Sequence, residues 1–407
     1  MTGNLVPGAL CKAGEANYER AGGNKKMAML KTLIEQVKEN GNRKTKSVSL
    51  ITKGRDCQAF INKVKDKKPL FVLVIGSTET ALIPGISAAG QNIEQLKLTP
   101  ALDADFLLLK KEEFNKTLPV SPSGIPSPAI LSKAMIDYMS MYVNVIDVGA
   151  FVKPRGTHIS LNMGPAKCLT SGKALGPIKT NFLFQKGEKL AQNLTTYPYI
   201  VVGECVPGGT TTALSVLCSL GINAFDLVNS SFPEGNNLWK NQTVKDALLS
   251  HAELFTLIKK NPLKAAEFFG DPMQIFVCGL IKGAQKVNLP IMLAGGSQML
   301  AVYYLAKKVL EYDPHDTIVA TTSWITNDKN AKTKHLAELC GAPLISSNVN
   351  FQESRHEGLR AYEMGHIKEG VGAGGLMVTA DLYKDIPQEE IINEIEKVYT
   401  STASNNI

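Results

Sequence analysis

Leu70-Phe-Val-Leu-Val-Ile75, closed by Gly76, is apolar at every position and rich in β-branched side chains. A strand with one wet face alternates apolar and polar residues, whereas a run without alternation reads as a strand buried on both faces of a parallel sheet. The same pattern recurs along the chain. Val143-Asn-Val-Ile-Asp-Val148 ends at Gly149, Tyr199-Ile-Val-Val202 at Gly203, Ile275-Phe-Val-Cys278 at Gly279, and Ile291-Met-Leu-Ala294 at Gly295-Gly296; Thr317-Ile-Val-Ala-Thr321 adds another. Between them, helical spacing covers Pro128 to Met141, Thr211 to Leu220, Thr243 to Lys259, Ser297 to Glu311 and Ala331 to Cys340. Strand and helix alternate, which predicts an α/β fold with a doubly wound, mostly parallel sheet.

Outward from this centre the periodicity becomes helical. Leu30, Leu33, Ile34 and Val37 predict an amphipathic helix from Met27 to Asn40-Gly41, and a second is expected over Asp56 to Lys65. At the other end Ile391, Ile392 and Ile395 form one apolar stripe on an acidic helix from Pro387 to Val398, which is expected to pack on the first helix. The chain therefore divides into an extension, 1–26, whose Gly, Asn and Lys content predicts disorder; a helical part, 27–68; an α/β domain, 69–382; and a C-terminal helix, 383–407. The two end helices would form a small helical subdomain. Pro84 to Pro128 and Lys153 to Thr180 are rich in Pro, Gly, Ser and Thr without periodicity, and read as long loops of the kind that carry function.

Composition excludes several classes. Of the 407 residues 44% are hydrophobic and 20% charged, and no stretch approaches the roughly 18 consecutive apolar residues of a membrane span. The net charge of +7 is concentrated in residues 1–68, where 15 Lys/Arg face 6 Asp/Glu, so the rest of the chain carries a net −2. No basic helix interleaved with aromatics accompanies that excess, and no nucleic-acid partner is expected. Seven dispersed cysteines without a C-x-x-C pair imply a reducing compartment, and the first 26 residues lack an apolar signal core; the expected location is cytoplasmic. The six histidines show no ligand spacing, so no metal is implied. Neither GxGxxG nor GxxxxGK[ST] occurs, which argues against a dinucleotide cofactor and a P-loop.

In an open α/β sheet ligands bind beyond the carboxyl ends of the strands. Those ends read Gly76-Ser-Thr-Glu-Thr80, Gly203-Glu-Cys-Val-Pro-Gly-Gly-Thr-Thr-Thr212 and Gly295-Gly-Ser-Gln298. Glycine admits close approach, and Ser/Thr at a helix start offers donors to an anion, although each segment alone also reads as an ordinary N-cap. Glu204, directly after an apolar strand, sits where burial would raise its pKa; it is equally readable as a helix-start carboxylate favoured by the dipole. Lys368-Glu-Gly-Val-Gly-Ala-Gly-Gly375 reads as an ordered glycine loop wrapped on a ligand, with Glu369 placed as a general base that a flat ring can approach, or else as a solvated loop carboxylate.

Val202-Gly-Glu-Cys-Val-Pro-Gly-Gly-Thr-Thr-Thr-Ala213, Ile146-Asp-Val-Gly149 and Lys368-Glu-Gly-Val-Gly-Ala-Gly-Gly375 together resemble the nicotinate mononucleotide:dimethylbenzimidazole phosphoribosyltransferase family, and more closely its uncharacterised relatives, which share segments like Gly76-Ser-Thr-Glu-Thr-Ala-Leu-Ile-Pro-Gly-Ile-Ser-Ala-Ala-Gly90. The likeness runs in consistent order from about Leu70 to Leu382. It implies a Rossmann-like sheet, a homodimer, no cofactor, and two small-molecule substrates: nicotinate mononucleotide and a heterocyclic base. The implied reaction transfers phosphoribose to a lower-ligand base of cobamides and releases nicotinate.

On this resemblance Glu369 falls on the catalytic base, Glu204 on a carboxylate at the mononucleotide side, and Lys240 on a phosphate-contacting lysine. Ser127 falls at the rim of the base pocket, and Ser354 and Gly358 near the phosphate; Gly370 and Gly372 belong to the glycine run. Met135 stands where better-known members carry a glutamine in the base pocket, Val206 replaces a glycine and Ala294 an aspartate. These departures leave the accepting base open between a benzimidazole, a purine such as adenine, a phenol or another azole. A non-catalytic nucleotide or cobamide-precursor binding protein of the same fold is the alternative, and a nucleoside phosphorylase a third.

Overall fold

The computed structural model describes residues 47–110, 113, 121 and 125–403. Eight strands form one sheet: β1 (Val48–Thr52), β2 (Leu70–Gly76), β3 (Val143–Gly149), β4 (Ile159–Ser160), β5 (Ile200–Cys205), β6 (Ile291–Ala294), β7 (Thr317–Thr322) and β8 (Leu344–Ser347). Their spatial order is β1-β8-β7-β6-β5-β2-β3-β4, and every adjacent pair is parallel except β1 with β8. From β2 the chain winds outward through β3 and β4, returns to the other side of β2 as β5, and winds away through β6 to β8. The winding reverses between β2 and β5. At such a reversal the connecting segments leave toward opposite faces, which opens a crevice beyond the strand ends.

β2 is buried along its whole length because both of its faces carry a core. Leu70, Val72 and Val74 join Ile200, Val202 and Leu293 under the helices Pro177–Gln192, Gly209–Ser219, Pro272–Val287 and Ser297–Leu310. Phe71, Leu73 and Ile75 join Val201, Met292 and Ile318 under Gly54–Val64, Ile93–Leu108, Ala129–Met139, Ala373–Lys384 and Gln388–Ala403. Period-2 alternation thus splits one apolar run between two layers. In the last helix Ile391 and Ile395 are fully buried, and it packs beside Ala129–Met139. The helix expected from Met27, and the extension before it, lie outside the described residues.

Three expectations need correction. Ile275-Phe-Val-Cys278 is not a strand but part of the helix Pro272–Val287, started by a capping box in which Asp271 accepts from the Gln274 amide and Gln274 accepts from the Asp271 amide. Gly279 is there for helix packing, since a Cβ on it would stand 2.1 Å from the Phe184 carbonyl of the crossing helix. Pro84 to Pro128 is not structureless: it contains the sixteen-residue helix Ile93–Leu108, capped by Asn92. Thr243 to Lys259 is broken, with one helix ending at Ser250 and another beginning at Phe255. As the composition implied, no helix among the described residues is long and apolar enough to cross a membrane.

Candidate active site

Beyond the ends of β2 and β5 lies an open cleft of about 770 Å³. Part of its lining is Glu204 to Thr210, the end of β5 and the turn into helix Gly209–Ser219, with the Gln298 side chain against Gly209. Joined to it by the bond from the Val371 amide to the Glu204 carbonyl are Ile367 and Glu369 to Val371, with Ser231, whose carbonyl accepts from the Ile367 amide, and Ser127-Pro128 at the start of helix Ala129–Met139. Ile86 to Gly90 and the residues Thr99 and Asp103 of helix Ile93–Leu108 complete it. Of the three strand-end segments expected to converge, those of Glu204 and Gln298 line the cleft and Gly76 to Thr80 does not.

Glu369 is held from three sides. Its Oε1 accepts from the amides of Gly370 and Gly374, both at 3.1 Å, and its Oε2 from the Thr321 hydroxyl at 3.2 Å, at the end of β7. The glycine run is therefore not a loop throughout: Gly372 caps the helix Ala373–Lys384, and Gly374 and Gly375 form its first turn. The glycines set how closely that turn rests on the sheet. A Cβ at Gly374 would meet the Thr321 backbone at 2.3 Å and Glu369 Oε2 at 2.5 Å, and one at Gly372 would meet the Phe71 ring at 2.8 Å.

The segment presenting Glu369 is strained and over-determined. Ile367, Lys368 and Val371 have φ of 62°, 63° and 55°, a region costly for any L-residue and most so for β-branched ones, at roughly 1–3 kcal/mol each. Offsetting contacts fix it. Val371 donates its amide to the Glu204 carbonyl (2.9 Å) and accepts from Ser132 Oγ (2.9 Å), while the Lys368 carbonyl accepts from Thr322 Oγ1 (2.7 Å). Lys368 Nζ makes a buried ion pair with Asp328 at 3.0 Å and donates to the Ser230 carbonyl at 2.9 Å. Lys368 lines a separate polar cavity with Asn327, Asn348 and Asn350, so successive residues face different spaces.

Both carboxyls ionise late. Glu204 is buried, and Glu369 is half-buried; both line the cleft. Desolvation by burial pushes Glu369 up to about 7, against the pull of the Gly374 and Gly370 amides and Thr321. It pushes Glu204 further, to about 8, helped by the nearby charges of Asp271 and Glu369, with only Val206 and Gln298 pulling it down. The pair interacts, so its protons belong to both. The direction is plain: burial raises both carboxyls, and Glu204 holds its proton to higher pH than Glu369.

Lys240, expected at a phosphate, is wholly buried in helix Asn237–Ser250 and stands behind the cleft. Its Nζ donates to the Asn229 carbonyl (2.5 Å) and approaches Thr210 Oγ1, on the cleft wall, at 3.4 Å. Burial, then the charge of Lys368, lowers it to about 7.

Ser127 and Gly370 line the cleft with Glu204 and Glu369; Met135, Ser354, Gly358 and Gly372 do not. Met135 is buried in the core of the second face. Ser354 Oγ donates to Glu396 at 2.6 Å and Gly358 lies against Tyr399, so both anchor the C-terminal helix. Asp103 is not marked in the sequence because its helix is not; the Asn92…Gln95 capping pattern is the available signal, masked by Pro100 in mid-helix. No cluster of His, Cys, Asp and Glu among the described residues has a metal-binding arrangement.

Known proteins of similar sequence and structure agree with this fold. No family model matches the chain. It is 38% identical over 351 residues to a UPF0284 protein of Crocosphaera subtropica, covering 84% of this chain and 95% of that protein. A UPF0284 protein of Saccharolobus solfataricus is 34% identical over 337 residues, covering 83% and 94%. Among solved structures, CobT from Thermus thermophilus superposes with a TM-score of 0.53 at 17% identity, covering 84% of this chain and 87% of that one. A nicotinate-nucleotide-dimethylbenzimidazole phosphoribosyltransferase structure from the same organism gives 0.52 at 17%, covering 90% and 94%. The chain belongs to the UPF0284 family and shares the fold of these two structures.

Proposed function

We propose that this UPF0284 protein is a phosphoribosyltransferase that moves the phosphoribosyl group of nicotinate mononucleotide to a heterocyclic base destined for a cobamide nucleotide loop. The observation that carries the reading is the pair of desolvated carboxyls, Glu369 and Glu204, lining one cleft on two neighbouring turns with separated protonation. Titratable pairs whose environments push their pKa values apart mark acid and base roles. The shared fold with a nicotinate-nucleotide phosphoribosyltransferase supports the reaction class.

In this reading a ring nitrogen of the acceptor attacks the anomeric carbon, and the carbon–nitrogen bond to nicotinate breaks with its electron pair leaving on nicotinate. Glu369 takes the proton that the acceptor nitrogen loses. Glu204, still protonated, donates a hydrogen bond on the mononucleotide side, and Lys240, which approaches Thr210, contributes positive charge there in its protonated form. The cleft limits water around the oxocarbenium-like centre. The protein acts as a cytoplasmic homodimer in this reading, which sedimentation and fractionation would test.

Incubation with nicotinate mononucleotide and a panel of benzimidazoles, purines and phenols, with chromatographic detection of nicotinate, tests the proposal. Release that depends on an acceptor is the expected result. No release with any acceptor overturns it. A non-catalytic binding protein is the competing reading, favoured by the Lys240 amine resting on the Asn229 carbonyl outside the cleft lining; calorimetric binding of the mononucleotide without turnover would select it.

A further inference from the structure

Asp103 is the one acidic side chain that helix Ile93–Leu108 contributes to the cleft. Four residues after Thr99, it shares that residue's helix face, and the two reach the cavity together. It is 2% exposed. Its Oδ2 accepts from the Cys205 thiol at 3.2 Å, whereas its Oδ1 is buried with no hydrogen-bond partner. A buried carboxylate oxygen left unpaired costs about 1–3 kcal/mol or more, so its retention beside an open cavity calls for a donor that arrives from outside.

The position identifies which part of a ligand would supply it. The Ser127 hydroxyl neighbours Asp103 and, with Cys205, offsets the upward push of burial on its carboxyl, but it closes no hydrogen bond to Oδ1. Ser127-Pro128 lies against Gly370, next to Glu369, whereas Lys240 approaches the lining at Thr210. The other helix here, Ala129–Met139, offers nothing polar at position 135, because Met135 is committed to the core.

We propose that Asp103 is a specificity-determining residue of the acceptor subsite, which takes a nitrogen heterocycle bearing a second hydrogen-bond donor, an amino or hydroxyl group or a ring N–H, on the edge away from the attacking nitrogen. The inference rests on the phosphoribosyltransferase reading for the name of the subsite. The recognition itself is a binding event and can be measured alone. A site built to pair a ligand's N–H or O–H rejects the analogue lacking it far more strongly than an apolar pocket rejects a change of size.

The decisive measurement is calorimetric binding of matched rings to the full-length protein at neutral pH: adenine against purine, and 5-amino- and 5-hydroxybenzimidazole against 5-methylbenzimidazole. The expected result is that donor-bearing rings bind about tenfold or more tighter. Asp103→Leu should abolish that ratio and improve binding of the methyl analogue, and Asp103→Asn, which preserves shape, should reduce it. Circular dichroism identifies a variant that fails to fold, and Asp103→Asn then carries the comparison. Equal binding of both members of each pair by the wild type, or an unchanged ratio in folded Asp103→Asn, overturns the inference. Nicotinate release with the same rings bears on the phosphoribosyltransferase reading: discrimination without release keeps the ring subsite and removes the transfer, and release without discrimination does the reverse.

Discussion

The two turns that carry Glu204 and Glu369 have the same plan and a different outcome. Each places a carboxyl at the cleft, follows it with glycines and enters a helix, Gly209–Ser219 in one and Ala373–Lys384 in the other. Both carboxyls are desolvated strongly enough to ionise late. Glu369, however, collects two backbone amides and a hydroxyl, while Glu204 has the Val206 amide and Gln298 and feels the charge of Asp271. Donors aimed at the charged form lower a pKa, and like charges raise it. One plan of turn therefore yields a carboxyl that ionises near neutrality in one case and one that keeps its proton to higher pH in the other.

The sharpest way to break this comparison is to neutralise each carboxyl in turn. Glu369→Gln is expected to lower kcat for nicotinate release by about 10²–10⁴, the range of a lost general base, with the mononucleotide KM little changed. Glu204→Gln imitates the protonated form already favoured there and should cost roughly tenfold or less at pH 7. Equal losses in the two variants would erase the assigned asymmetry.

The glycines offer a second contrast. Alanine is normally preferred to glycine in a helix by about 1 kcal/mol. Gly374→Ala should reverse that sign and destabilise the protein by about 1–3 kcal/mol in denaturant titration, because the new Cβ meets the Thr321 backbone at 2.3 Å. Gly209→Ala meets the Gln298 amide, the movable end of a side chain, and should cost under about 1 kcal/mol.

Stability should also depend on pH, differently for the two carboxyls. Each carboxyl is raised in the folded state, so its contribution is fully present below the ordinary value of 4.5 and is lost as pH rises, through about 7 for Glu369 and about 8 for Glu204. Glu204→Gln should accordingly raise Tm relative to the parent at pH 8–9, with the difference vanishing near pH 4; the slope is at most roughly 1.4 kcal/mol per pH unit. Scanning fluorimetry across that range checks it. The smallest expected effect is that of Thr321→Val, which removes one donor worth about 1 kcal/mol from Glu369. A base must be ionised to act, so the acid limb of kcat/KM should move to higher pH.

The sequence announced the central strands because burial on both faces leaves nothing polar in them. It was silent where the same burial was reached differently. Ser346 and Ser347 make half of β8 polar although all four residues are buried, so β8 did not read as a core strand. Ile275 to Cys278 erred the other way, since four apolar residues carry no period that separates strand from helix. At the cleft, Glu204 and Glu369 were legible from their neighbours in the chain. Asp103 was not, because its significance lies in a missing partner, and a missing partner is a property of three-dimensional packing.

The antiparallel edge pair has a consequence for how the chain is made. β1 begins at Val48, and the residue it aligns with in β8 is Ser347. At ribosomal rates of about 5–20 residues per second, the first strand would wait roughly 15–60 seconds for its partner to be synthesised. Until then β1 is a five-residue strand with an unpaired ladder on both sides, the kind of edge that templates association with another chain. The inner sheet can assemble earlier, so β1 closes the fold although it is translated before every other described strand.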